Sequence, residues 1–227
     1  MPKEQTEASC DDASSIEEQE PVCILDAVIC VHFVGANLQR LLVEVLQRAD
    51  LVLLVPQEVC DEVARKDRKY RGLKLRWTRF TNSQCVEVLP ALEAQSAPKR
   101  VVEVFVEMRG RQLEDALRES KDLGEAVVVA HGVHYQDQGR EVFVAIDDQG
   151  GQALAAGRDL EVITVEDVLE MAIQFGKFPT EGDLKVTYEK LRKFGDGLPS
   201  YSSTTLANAF GKWRAGRIRE QREISVP

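Results

Sequence analysis

Five carboxylates stand where acids do more than solvate a surface: Asp26, Glu62, Glu125 and the adjacent pair Asp147-Asp148. Asp26 ends the apolar run Val22-Cys23-Ile24-Leu25, where a charge is costly if buried without a partner. Glu62 falls about a turn and a half into the segment opened by Pro56, Glu125 follows Gly124, and Asp147-Asp148 close the apolar run Val142 to Ile146. Taken singly, Glu125 and Asp147-Asp148 are equally read as helix caps or dipole partners, and Glu62 as part of a solvated helix face. The order strand–Asp, Pro-led helix–Glu, Gly–Glu helix, strand–Asp-Asp is more specific than any member. If these termini converge, like charges raise one another's pKa unless cations neutralise them. Oxygen-only donors suit Mg2+ or Mn2+, and the corresponding chemistry is metal-assisted attack of water on a phosphodiester.

The elements that would position these acids follow from periodicity. Val22 to Leu25 and the uniformly apolar Leu51 to Val55 predict strands covered on both faces. Leu38, Leu41, Leu42, Val45, Leu46 and Ala49 recur at helical spacing. Pro56 suits the first turn of the next helix. Cys85 to Val88 predicts a short strand or edge piece closed by Pro90, Val101 to Ser120 one helix, and Gly124 a break before a helix beginning at Glu125. A strand over 142–146, a helix over 152–158, a strand over 161–164 and a helix over 165–175 complete the alternation. The fold class is α/β, a three-layer α/β/α arrangement with a central, mainly parallel sheet, plus a C-terminal helical extension. Residues 1–20 read as a disordered acidic tail, 21–176 as the domain, and 177–227 as basic helical segments near 180–194 and 203–222.

Charge is segregated along the chain. The formal net charge of −9 argues at first against a nucleic-acid ligand. Residues 1–20 carry seven acids against one base, whereas 176–227 carry ten bases against six acids. Ala64 to Thr81 carries eight bases and one acid. Its bases Arg65, Lys66, Arg68, Lys69, Arg71, Lys74, Arg76 and Arg79, interleaved with Tyr70, Trp77 and Phe80, are the equipment for single-stranded nucleic acid. The alternative for the same stretch is a solvated helix face whose rings sit in the core. In the last segment Leu206, Ala209, Phe210 and Trp213 make an apolar side, expected to pack on a neighbour with the bases exposed; dimerisation and nucleic-acid contact are its other uses. Five cysteines form no CxxC pair, Cys23 reads as a small buried hydrophobe, and His131 with His134 reads as an ordinary pair on one helix face. No apolar run reaches the length of a membrane span and no signal peptide is visible, so a cytoplasmic location is expected.

Cys23-Ile24-Leu25-Asp26-Ala27 and Val55-Pro56-Gln57-Glu58-Val59-Cys60-Asp61-Glu62-Val63 resemble the opening motifs of the PIN-domain family. Leu123-Gly124-Glu125-Ala126 resembles its third acidic motif. Ala145-Ile146-Asp147-Asp148, with Ala155-Ala156, Leu160 to Thr164 and Val168-Leu169, resembles the fourth motif and the closing strand and helix. The likeness covers about 22–175. It implies a metal-dependent ribonuclease in which Asp26, Glu62, Glu125 and Asp148 are catalytic, metal-ligating carboxylates, with Asp147 the competing assignment for the fourth acid. One carboxylate would serve as general base on a metal-bound water. The family's VapC-type members imply a toxin held by an antitoxin partner. Ala27-Val28 stand where the family favours small polar residues, and Gln149 to Gln152 where many relatives have a base. These departures motivate the alternative, a catalytically weak PIN-fold module that binds RNA or a protein partner.

Overall fold

β1 (Val22–Leu25) is buried along its whole length because it lies inside the sheet with both faces covered. The computed structural model, which describes residues 19–224, pairs it in parallel with β2 (Val52–Pro56) on one edge and β4 (Val142–Ala145) on the other. β3 (Glu87–Leu89) adds outside β2, and β5 (Glu161–Ile163) outside β4. The order is β3-β2-β1-β4-β5, all parallel. The chain therefore builds from β1 outward to β3, then returns to the far side of β1. At such a reversal the connections leaving the two central strands diverge and open a crevice at their carboxyl ends. Asp26 leaves β1 at that point, and Asp147 and Asp148 leave β4.

The helix after Asp26 has no counterpart among the elements predicted from periodicity. α1 (Ala27–Gly35) is apolar almost all round and nearly every residue is buried, so it has no amphipathic period to reveal it. Asp26 ends the strand and also caps this helix, its carboxylate accepting from Val28 N at 3.1 Å. The amphipathic α2 (Gln39–Arg48) follows as predicted. Pro56 is the last residue of β2 and the N-cap of α3 (Gln57–Arg65), one step before the expected first turn. The basic stretch continues into α4 (Leu73–Thr81). The single helix predicted for 101–120 is two, α5 (Lys99–Arg109) and α6 (Leu113–Arg118), because Gly110 turns left-handed at φ 62°. Gly124 lies inside α7 (Leu123–Asp137) instead of preceding it.

α8 (Gln149–Ala156) begins three residues earlier than predicted, capped by Asp148. α9 (Val165–Gln174) and α10 (Glu181–Leu191) each open on a complete capping box, Thr164/Asp167 and Thr180/Asp183, which ties off two donors per helix start. α11 (Leu206–Ile224) closes the described chain. α7 lies against β1, β2 and β4 and packs with α5 and α8, while α2 and α11 pack on α9 and α10 on α1. Leu206 and Phe210 are buried and Lys212, Arg214, Arg217 and Arg219 are exposed, as the amphipathic reading of this helix requires. Residues 1–18 of the acidic tail lie outside the described residues. No described helix is long and apolar enough to cross a membrane.

Candidate functional site

The acids reach the crevice by different routes. Asp26 is 2% exposed, held down by the first turn of α1. One of its oxygens makes the cap; the other, Oδ1, lies 3.4 Å from where a Cβ on Gly124 would stand. Glu62 arrives from α3, and its Oε2 lies 3.0 Å from that same point. Two carboxylates from separate elements thus meet over one glycine on α7. Any side chain at Gly124 would fill the space between them. The next residue, Glu125, is half-buried, and its stem passes over Gly151, where a Cβ would come within 3.0 Å of Glu125 Cγ.

Burial is the main force on the two inner acids. It pushes the Asp26 carboxyl up to about 6, against the backbone donors of Val28 and Ala27, with Glu62 and Asp148 adding repulsion. Burial likewise pushes Glu125 up to about 7, with further repulsion from Asp26, Asp122, Asp148 and Glu62. Asp26, Glu62, Glu125 and Asp148 therefore share one electrostatic neighbourhood, the situation in which acids resist joint ionisation.

The fourth position is divided between two aspartates. Asp148 Oδ1 accepts from Gly150 N at 2.8 Å and Gly151 N at 3.3 Å, capping α8, and its charge is felt by both Asp26 and Glu125. Asp147 Oδ1 accepts from Val165 N at 3.1 Å, at the start of α9, and faces His32 and Tyr188 electrostatically. The repulsion that Asp148 adds at Asp26 and Glu125 groups it with the other acids, while Asp147 ties β4 to α9. The cap readings of Asp147 and Asp148 hold as well: each carboxylate keeps one oxygen on a helix terminus.

Among the described residues, no group of three or more His, Cys, Asp or Glu side chains stands close enough together to hold a metal ion. The donor chemistry nevertheless fits a hard divalent cation. The acids offer oxygen alone, two of them aim at the gap left by Gly124, and their mutual repulsion is what a cation would relieve.

A cleft of about 560 Å3 opens beside this cluster, lined by Ala27 and Val28 of α1, Asp147 and Asp148, Gln152, Lys66, Lys69 and the 195–199 segment. A second hollow, of about 400 Å3, lies at the start of α8 and is lined by Arg109, Lys121, Asp122, Glu125, Gly150 and Gly151. Of the eight bases between Ala64 and Thr81, only Lys66 and Lys69 line the cleft. Arg65, Arg68, Arg71, Lys74 and Arg79 are exposed elsewhere on the surface, and Arg76 is tied by Nε to Val34 O at 3.1 Å.

The aromatic part of the nucleic-acid expectation needs correction. Trp77 is 3% exposed and packs against Phe80 with ring centroids 5.4 Å apart. Leu73, Trp77 and Phe80 form the inward face of α4 at helical spacing, so Trp77 is a core residue with no free face for a base. Tyr70 is half-buried, stacks obliquely on Phe194 and donates its hydroxyl to Gly195 O at 3.1 Å.

Further residues brace the surroundings of the acids. Gln152 Nε2 donates to Asp147 O at 3.1 Å, bracing the β4 exit. Glu166 lines the cleft and accepts from Thr205 N and Oγ1 at 3.2 Å. His32 is fully buried, with Nδ1 at 3.0 Å from Leu191 O. His131 is buried too, and Cys23 is a core residue. No protein-family model matches the chain, and no curated protein matches it by sequence.

Proposed function

We propose that the chain is a metal-dependent endoribonuclease of PIN-domain type that hydrolyses single-stranded RNA at the carboxyl edge of its sheet. The observation that carries this reading is the meeting of Asp26 and Glu62 over Gly124, with Glu125 and Asp148 in the same electrostatic neighbourhood. Asp26, Glu62, Glu125 and Asp148 would hold Mg2+ or Mn2+. When bound, such an ion supplies neutralisation of the phosphodiester charge and a more acidic water. The chain's own part is to orient. The α1 cap fixes Asp26, the α8 cap fixes Asp148, and Gly151 leaves room for Glu125, the half-buried acid best disposed to take a proton from attacking water. Lys66 and Lys69 would keep the polyanion in the cleft.

Hydrolysis of a labelled single-stranded RNA in Mn2+ tests this reading. Cleavage by the native chain is expected, with a loss of about a hundredfold or more in Asp26→Asn. Equal cleavage by both chains would refute it. Binding of RNA without cleavage by either would favour the second reading, a module that binds RNA or a protein partner. That reading draws on the buried Ala27 and on Gln149 to Gln152, which offer the fourth acid no neighbouring base.

A further inference from the structure

We propose that Lys69 is a substrate-phosphate position and that Asp196 occupies it as a competing internal anion. The proposal rests on the reading of the cleft as an RNA site and adds its regulation. Lys69 Nζ lies 2.9 and 2.8 Å from the two oxygens of Asp196. Both residues line the cleft: one belongs to the basic stretch, the other to the segment after α10. A carboxylate held on an ammonium through both oxygens has the charge and donor demand of a phosphodiester oxygen pair. The other cleft lysine, Lys66, sits 3.6 Å from Glu62 Oε1. As folded, then, each cleft cation is already matched to an acid, and an entering polyanion must displace one.

The pairing is built to be displaceable. Side chains of Lys69 and Asp196 are 55% and 85% exposed, so solvent screens their attraction and the pair adds little to stability. Asp196 stands between two glycines in the left-handed region, Gly195 at φ 79° and Gly197 at φ 108°. The Gly195 side of the segment is anchored: a Cβ there would meet the His32 ring at 2.5 Å, and Tyr70 bonds its carbonyl. Past Gly195, the carboxylate itself is restrained by Lys69 alone among the described hydrogen bonds and ion pairs. The anchor sets the position of Asp196, and the exposed ion pair sets how readily it yields.

Affinity for a labelled single-stranded RNA is measured by fluorescence anisotropy, with every chain carrying Asp26→Asn so that binding is read without cleavage. Asp196→Asn is expected to bind about twofold to fivefold more tightly, the range of an exposed ion pair. Lys69→Ala is expected to bind more weakly and to lower the salt dependence by about one phosphate contact. In the Lys69→Ala background, Asp196→Asn is expected to have no effect, because the site it competes for is gone. Asp115→Asn on α6 removes an equal charge outside the cleft and should change nothing. A gain from Asp196→Asn that persists without Lys69, or is matched by Asp115→Asn, would mean bulk electrostatics and overturn the proposal. So would unchanged or weaker binding by Asp196→Asn. If the native chain cleaves RNA while these effects are missing, only this proposal falls. If no chain binds or cleaves RNA, the reading of the cleft falls with it.

Discussion

Asp26 is buried at a cost to stability. It is a carboxylate 2% exposed, held at about 6 by burial, with Glu125 held at about 7. Between the ordinary carboxylate range near 4 and these values, the folded chain holds protons that the unfolded chain has released. The contribution of these two acids to stability is therefore full below about pH 4, is lost as pH rises through 6 and 7, and levels off above. For Asp26 the rise from 3.8 to about 6 corresponds to roughly 2–3 kcal/mol at pH 7.5. Asp26→Asn removes the charge and keeps the cap, since Asn and Asp cap equally well. In EDTA at pH 7.5 its thermal midpoint is expected several degrees above that of the native chain, and at pH 4 the two should coincide. A midpoint at pH 7.5 equal to or below the native one would contradict the burial of an unrelieved charge. Mn2+ at about a hundred times its Kd should raise native stability by about 2.7 kcal/mol and leave Asp26→Asn unmoved.

At the scale of elements, the site depends on a missing side chain in α7. Gly124→Ala gives the helix a better helix former, worth up to about 1 kcal/mol. It also places a methyl group 3.0 Å from Glu62 Oε2 and 3.4 Å from Asp26 Oδ1. These terms offset, so the variant is expected to fold with stability within about 1 kcal/mol of native. Its response to Mn2+ in a thermal scan should be lost, together with RNA cleavage. Full retention of the Mn2+ response would show that the gap over Gly124 is not where the cation sits. The same elements show what could be read in advance. Uniformly apolar β1, β2 and β4 were legible because short apolar runs of strand length, each ended by a breaker or an acid, match strands buried on both faces, and the acids at their ends were legible with them. α1 was not, because a helix buried all round carries no period, and its start is hidden under a residue that also ends a strand. The role of Gly124 was invisible for another reason: its φ is ordinary, and only the approach of Glu62 and Asp26 from two other elements makes it necessary. Trp77 misled because rings interleaved with bases read alike whether the rings face RNA or the core; α4 sends them inward.

For the whole molecule, the chain after Gly176 is part of the body that holds the site. α10 and α11 bury Leu184, Tyr188, Leu191, Leu206 and Phe210, against α1 and α9 among other neighbours. Gly35 makes room for the Phe194 ring and Gly195 for the His32 ring, so the 194–195 turn lies directly against α1. At about 1.5–3 kcal/mol for each large apolar side chain, these five burials amount to roughly 8–15 kcal/mol, as much as a whole domain's net stability. The net charge hides the same arrangement. Thr205 bonds Glu166 in the first turn of α9, and Arg217 lies beside Gly176 just past its last turn. α11 therefore runs alongside α9 in the same direction, carrying its basic face away from the carboxyl edge of the sheet and leaving Lys66 and Lys69 as the cleft's cations. A chain ending at residue 176 is expected to lose cooperative thermal unfolding and to bind a hydrophobic dye, because the covered faces of α1 and α9 become solvent-facing. It also loses the segment that walls the cleft, so RNA cleavage should disappear even in any fraction that stays in solution. A truncated chain that unfolds cooperatively and cleaves RNA would show the opposite: that α10 and α11 ride on a self-sufficient domain, and that the 195–199 wall is dispensable to its chemistry.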